Sequence, residues 1–240
     1  MQRITLLAVF LPAISVLCGD LEVDNLTVNT NAMIYENLTF YATCTTNSSN
    51  INLEIGLIAH WKMNDNASNT NIVDSKGGYT AYALDNTDTL SVPGKINAAI
   101  TNTANDYLFS PSSTNLSFDY YDIFSVSLWV KCSTISGTMQ FISKNVSGGD
   151  SGFQIFNEGA TALAISPGGW TDGTYEYFDQ TAMQNIDDGN WHHLVIVYGG
   201  SKDDVTAFID NVSLSPTRHY SSVPSGTCNN AQPIRLGGEY

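Results

Sequence analysis

The chain predicts an all-β fold, an antiparallel β-sandwich, and three observations carry that prediction. Short runs of β-branched and aromatic residues recur along it, each bounded by Gly, Asn, Asp or Pro. The clearest run, Phe124-Ser-Val-Ser-Leu-Trp-Val-Lys131, alternates with period two, so Phe124, Val126, Leu128 and Val130 share one face. No stretch of helical length carries an apolar period of about 3.6 residues.

In chain order, Met1-Gln2-Arg3 supplies a positive charge ahead of an apolar run from Ile4 to Leu17. That run is short for a bilayer span of about 20 residues and suits a signal peptide over residues 1–19. Cys18 after the run raises a lipoprotein alternative, but a lipobox wants a small residue where Leu17 stands. Residues 20–54 form an extended N-terminal segment or stalk in which Leu21 to Val23 and Leu26 to Val28 alternate weakly. No other stretch is long and apolar enough to be a transmembrane segment of the mature chain. The folded domain is expected over residues 55–240. Leu57 to Met63 reads as a strand with Trp61 as a core anchor, followed by a polar loop to Gly78 and a short strand from Thr80 to Leu84. After Phe124 to Lys131, strands are expected at Met139–Lys144, Gly152–Asn157 and Ala162–Ser166. A longer loop, Pro167 to Asp188, carries Trp170, Tyr175, Tyr177 and Phe178. The turn Asp187-Asp188-Gly189-Asn190 opens a strand from Trp191 to Tyr198, with Trp191 expected buried between the sheets. Gly199-Gly200 and Asp203-Asp204 turn the chain into Val205–Ile209, and Asp210-Asn211 turns it again.

Several of these steps resemble a known family. Asn190-Trp191-His192-His193-Leu194, Tyr198-Gly199-Gly200 and Val205-Thr206-Ala207-Phe208-Ile209-Asp210-Asn211 are similar to the signature hairpin of laminin-G-like (concanavalin A-like) jelly-roll domains, with pentraxins more distant. Asp74-Ser75-Lys76-Gly77-Gly78, Pro93 to Ile100, Asn105-Asp106-Tyr107-Leu108 and Pro111 to Leu116 follow in the family's order. His60 departs from it, standing where the family carries an aromatic residue before Trp61. The resemblance covers about residues 55–240 and implies a jelly-roll sandwich. It also implies one more strand after Pro233 to Tyr240, so the domain is expected to be truncated at its C-terminus unless residues 20–52 fill that place.

Composition narrows the function classes. A formal net charge of -14 argues against nucleic acid and anionic membranes, which need clustered Lys and Arg. Gly149-Asp150-Ser151-Gly152 is similar to the nucleophile turn of trypsin-like proteases, but none of His60, His192, His193 and His219 sits in a matching context. Glu176 and Asp179 lack the alternate-position spacing of a glycosidase pair. His192 and His193 point to opposite faces of a strand and cannot chelate one metal together. No enzymatic activity is therefore expected. Loops rich in Asp and Asn suit Ca²⁺, which the resemblance also implies; Asn64, Asp65, Asp74 and Asp106 are the candidates, against turn capping by the same side chains. Four cysteines fit no zinc spacing. In an oxidising compartment Cys132 and Cys228 are the expected disulfide, which leaves Cys44 without an assigned partner. Trp170, Tyr175 and Tyr177 are the candidate ligand-binding aromatics, since ring faces stack on apolar sugar faces. The chain thus reads as a secreted or cell-surface binding or adhesion module for carbohydrate or an extracellular protein. A glycan-active enzyme on the same fold and a structural part of a surface fibre are the alternatives.

Overall fold

Strands in the computed structural model are short, as the spacing of turn residues requires. The structure describes residues 56–101, 107–111, 114–133, 138–145, 152–158, 162–166, 175–178, 186–201, 204–214, 216–220 and 230–238. The expected leader and N-terminal segment, Cys44, Asp106, Ser151, Trp170 and Cys228 lie outside these residues.

The strands are β1 (Asn71–Ile72), β2 (Ala81–Tyr82), β3 (Ser91–Pro93), β4 (Ala98–Ile100), β5 (Leu108–Ser110), β6 (Phe124–Val130), β7 (Gln140–Asn145) and β8 (Gly152–Glu158). They continue with β9 (Ala162–Ser166), β10 (Tyr175–Phe178), β11 (His192–Tyr198), β12 (Val205–Ile209), β13 (Val212–Leu214), β14 (Pro216–Tyr220) and β15 (Ile234–Leu236). Among the described residues they form a nine-stranded sheet in the order β1-β2-β5-β15-β7-β8-β9-β10-β14, a four-stranded sheet β13-β12-β11-β6, and the hairpin β3-β4. Neighbouring strands pair antiparallel, as a jelly-roll sandwich requires. The only α-helix among the described residues is the single turn Thr87–Leu90, and no described helix is long and apolar enough to cross a membrane.

One core lies between the sheets. From the small sheet come Phe124, Val126, Leu194, Ile196, Tyr198, Val205, Ala207 and Ile209; from the large sheet come Leu108, Ile142, Phe153, Ile155, Ile165, Ile234 and Leu236. Phe118 stacks on Phe124 at 4.5 Å, and Phe153 meets both rings. Tyr198 is fully buried, and its hydroxyl donates to the Tyr120 carbonyl at 2.5 Å, which satisfies the one polar atom it brings inside.

Three expectations are corrected. Trp191 is not buried between the sheets: it precedes β11 and is half-buried. The alternation of β11 explains this, because His192, Leu194, Ile196 and Tyr198 face the core, which puts Trp191 with the outward set. Trp61 is the fully buried tryptophan, and its indole N–H donates to the Tyr79 carbonyl at 2.6 Å. Leu57 to Met63 forms no extended strand among the described residues and contributes one bridge, Trp61 to Asp74. There the Asp74 carboxylate, rather than a neighbouring strand, accepts the His60 amide at 2.8 Å. Finally, the segment expected as a loop from Pro167 to Asp188 contains β10, which pairs with both β9 and β14.

Candidate ligand-binding face

Strand pairing places one row of side chains across the large sheet. Asn71 faces Tyr82, Tyr82 faces Phe109, Phe109 faces Arg235, and Arg235 faces Ser143. Paired residues share a face. Along each short strand the flanking positions turn inward and are buried: Ile72, Ala81, Leu108, Ser110, Ile234 and Leu236. Tyr82, Phe109 and Arg235 are half-buried on the outer side, and Asn71 is exposed. Tyr82 and Phe109 lie 5.8 Å apart between ring centroids, and Tyr107 meets Phe109 edge-on at 6.3 Å. The Arg235 guanidinium sits over the Tyr107 ring at 4.9 Å. With strands about 4.8 Å apart, the row from β2 to β15 spans roughly 10 Å.

At the end of this row, Gly77 to Thr80, Tyr82, Ser110 and Pro111 line an open depression of about 430 Å³. Its wall is fixed by Asp74. The carboxylate accepts the amides of His60 and Lys76 at 2.8 and 2.9 Å through one oxygen, and those of Gly78 and Tyr79 at 3.1 and 3.0 Å through the other. Burial alone would raise the Asp74 pKa, but these backbone N–H groups outweigh it and hold the carboxyl below the usual carboxylate value. Tyr79 is then held at both ends, its carbonyl accepting from Trp61 and from Ser110 at 3.1 Å, its hydroxyl from Asn115 at 2.9 Å.

This geometry decides what Asp74 does. Both of its oxygens serve backbone donors, which is the turn-capping role and leaves a poor ligand for Ca²⁺. Asp65 caps a different turn, accepting from the Ala67 amide and the Thr87 hydroxyl at 3.1 and 3.2 Å. Among the described residues no three His, Cys, Asp or Glu side chains gather as a metal site. Asn64 lies beside Asp65 in the same loop, and Asp106 is outside the described residues. Cys132 is half-buried, and Cys228, its expected partner, lies outside the described residues; burial, aided by Asp187, pushes the Cys132 thiol up to about 11.

The candidate aromatics Tyr175 and Tyr177 belong to β10. Tyr177 pairs with Ala164 of β9 and with Arg218 of β14, and Tyr175 with Tyr220 of β14. Sequence reasoning missed Tyr82, Tyr107, Phe109 and Arg235. The signal was present in Ala-Tyr, Leu-Phe-Ser and Ile-Arg-Leu, where an aromatic or cationic residue alternates with small or apolar ones.

A second polar cluster lies on the outer face of the small sheet. His193 stacks on Trp129 at 5.0 Å and its Nε2 lies 2.8 Å from the Ser127 hydroxyl. Ser127 is 4% exposed, so this Ser–His pair offers no nucleophile to a substrate. The β3-β4 hairpin lays Lys95 over Trp129 at 5.1 Å. Its Pro-Gly-Lys-Ile-Asn sequence makes this turn because Asn97 adopts φ 55° and a side chain on Gly94 would meet the Ala98 carbonyl at 2.5 Å. His60, in the place where an aromatic residue was expected, has a buried Nε2 without a partner among the described residues, and burial lowers its pKa.

A family comparison agrees with the architecture. A family model described as concanavalin A-like lectin/glucanases superfamily, of the laminin-G type, matches residues 102–240. Among solved structures, the binding domain of Paraclostridial Mosquitocidal Protein 1 is similar, at 13% identity and a TM-score of 0.46, over 73% of this chain and 45% of that one. The chain therefore spans less than half the length of that solved chain. No curated protein matches it.

Proposed function

The chain belongs to the concanavalin A-like lectin and glucanase superfamily, and from that premise we propose that it is a secreted or cell-surface binding module. Its ligand is carbohydrate, taken on the outer face of the nine-stranded sheet. The observation that carries this reading is the row Asn71, Tyr82, Phe109 and Arg235, flanked by Tyr107 and ending at the Gly77–Thr80 depression. Aromatic faces stack on the C–H faces of sugar rings, and amide, hydroxyl and guanidinium groups read the hydroxyls. Among the residues whose side chains are described, the groups on this face are aromatic, amide, hydroxyl and guanidinium. These are groups that hold a ligand, whereas glycoside hydrolysis calls for two carboxylates flanking the scissile bond.

A glycan array followed by calorimetry tests the proposal. Wild type should bind at least one oligosaccharide, and Tyr82→Ala and Phe109→Ala should each weaken it about tenfold, the equivalent of 1.4 kcal/mol. Absence of any glycan binding, or a Tyr82→Ala/Phe109→Ala variant that binds like wild type, would overturn it.

A further inference from the structure

We propose that the ligand of this face is an acidic sugar, with Arg235 as the group that reads its carboxylate; the inference rests on the binding face proposed above. Arg235 is the centre of the argument. Its cross-strand neighbours are Phe109 and Ser143, neither of them charged. Among the described residues no carboxylate lies within ion-pair distance, although the chain has 23 acidic residues against nine basic ones. In so acidic a chain, a half-buried cation with no carboxylate partner among the described residues, on a strand interior to the sheet, is a specific arrangement.

The Arg235 guanidinium carbon lies over the Tyr107 ring at 4.9 Å. The N–H donors lie in the guanidinium plane, in a fork that matches a carboxylate bidentately. The contact with Tyr107 also pre-orders a side chain that would otherwise lose rotamer freedom on binding. Phe109, on the adjacent strand, lies between Tyr82 and Arg235 in the row. A sugar ring stacked on Tyr82 or Phe109 therefore brings its neighbouring substituent, one strand spacing or about 4.8 Å away, to the guanidinium. A neutral sugar would fill the aromatic positions and leave Arg235 with hydroxyl acceptors only. A hexuronate supplies a carboxylate, which the described residues of the site do not. Charge-assisted bonds of that kind are roughly twice as strong as neutral ones.

The rest of the molecule sharpens this choice. With a net charge of -14, the surface as a whole repels anions, so an acidic ligand is held only where a local cation faces it. The Lys95 ammonium sits over Trp129 of the small sheet, away from this row.

The test uses matched ligands: oligogalacturonate, and the same oligomer with its carboxyl groups reduced to primary alcohols, titrated calorimetrically into the full chain. Wild type should bind the uronate at least tenfold more tightly than the reduced oligomer. Arg235→Gln should abolish that preference and leave the reduced oligomer's affinity within about twofold, while Tyr82→Ala should weaken both ligands alike. Arg235→Lys, with a point charge in place of the fork, should retain part of the preference. Thermal melts confirm that each variant is folded; should Arg235→Gln unfold, the wild-type preference and the Arg235→Lys titration decide the matter. Equal affinity of wild type for the two oligomers overturns the inference and leaves the carbohydrate-binding reading standing. Failure of wild type to bind any glycan, charged or neutral, overturns that reading as well.

Discussion

Replacing His192 with glutamine tests how the signature hairpin is locked. His192 opens β11 with its side chain 10% exposed. Its Nδ1 lies 2.7 Å from an Asp210 oxygen and its Nε2 3.0 Å from an Asp188 oxygen. A carboxylate can only accept, so both ring nitrogens must donate, and only the imidazolium does that. Burial works against the charge, but the hydrogen bonds to Asp188 and Asp210, with their charges, outweigh it and hold the His192 pKa above its usual value. The His192 and Asn190 hydrogen bonds bring Asp188 down to about 2. Burial would raise Asp210, yet the His193 amide at 3.0 Å and the His192 ring hold it below the carboxylate range. The signs follow. A raised histidine pKa contributes stability that is complete below about pH 6.5 and is lost as pH rises through the folded value. The depressed aspartates contribute stability present above about pH 3.9 and lost as pH falls through their folded values. The clasp is therefore strongest between about pH 4 and 6.5. Its carboxylates are 42% and 47% exposed, so screening removes much of the Coulomb gain. What remains is the hydrogen bonding of a buried ring, about 1–3 kcal/mol. For a domain of this size, that is a fall in Tm of roughly 2–12 °C at pH 5.5. Thermal melts from pH 4.5 to 8.5 are the assay. The difference between wild type and His192→Gln should shrink as pH rises through the histidine range. A difference that stays constant across it would refute the charged clasp.

Three further outcomes are expected. Gly152→Ala should destabilise by more than about 2 kcal/mol in denaturant titration, because the added carbon would lie 1.7 Å from the Lys144 carbonyl at a φ of 101°. Trp61→Ala should cost about 3–5 kcal/mol and Trp191→Ala well under half of that, a contrast that equal Tm shifts would contradict. Millimolar Ca²⁺ should move Tm by less than about 1 °C if Asp74 keeps the four backbone amides it already accepts, whereas a larger rise would support a calcium site. Asp74→Ala should lower Tm clearly by leaving four backbone N–H groups without their acceptor.

Legibility followed strand length and burial. Ala162–Ser166 and Val205–Ile209 were readable with their boundaries, and Phe124 to Val130 within one residue, because continuous apolar or alternating runs leave few alternatives. His192 and His193 were correctly placed on opposite faces by the same period. Trp191 was misplaced because its size was weighed above its parity: the alternation that buries Leu194 and Ile196 excludes it. Leu57 to Met63 looked like a strand by composition, but the Asp74 carboxylate took the His60 amide that a partner strand would have paired. β10 was hidden by its polar surroundings, and its pairing with β9 and β14 is tertiary. The binding row was hidden for a related reason. Its members come from strands of two or three residues, and β15 enters between β5 and β7 from the far end of the chain. No local window contains Tyr82, Phe109 and Arg235 together.

That origin in separate short strands also bears on how recognition and stability are divided. On β5, Leu108 and Ser110 point into the core while Phe109 points out; on β15, Ile234 and Leu236 point in while Arg235 points out. Each strand thus carries one outward group between two inward ones, and the inward ones fix its position. Beside the row, the outer face is stiffened by buried polar side chains: Ser143 donates to Gln140 at 2.6 Å, and Gln140 donates to Gln154 at 3.1 Å. Ser143 is the cross-strand neighbour of Arg235, so the network lies on the strand next to it. A side chain held on such a lattice loses little freedom when a ligand arrives, which favours affinity from few contacts. It also means that changes at Tyr82, Phe109 and Arg235 act on recognition with little effect on the core, whereas changes one residue to either side act on the core first.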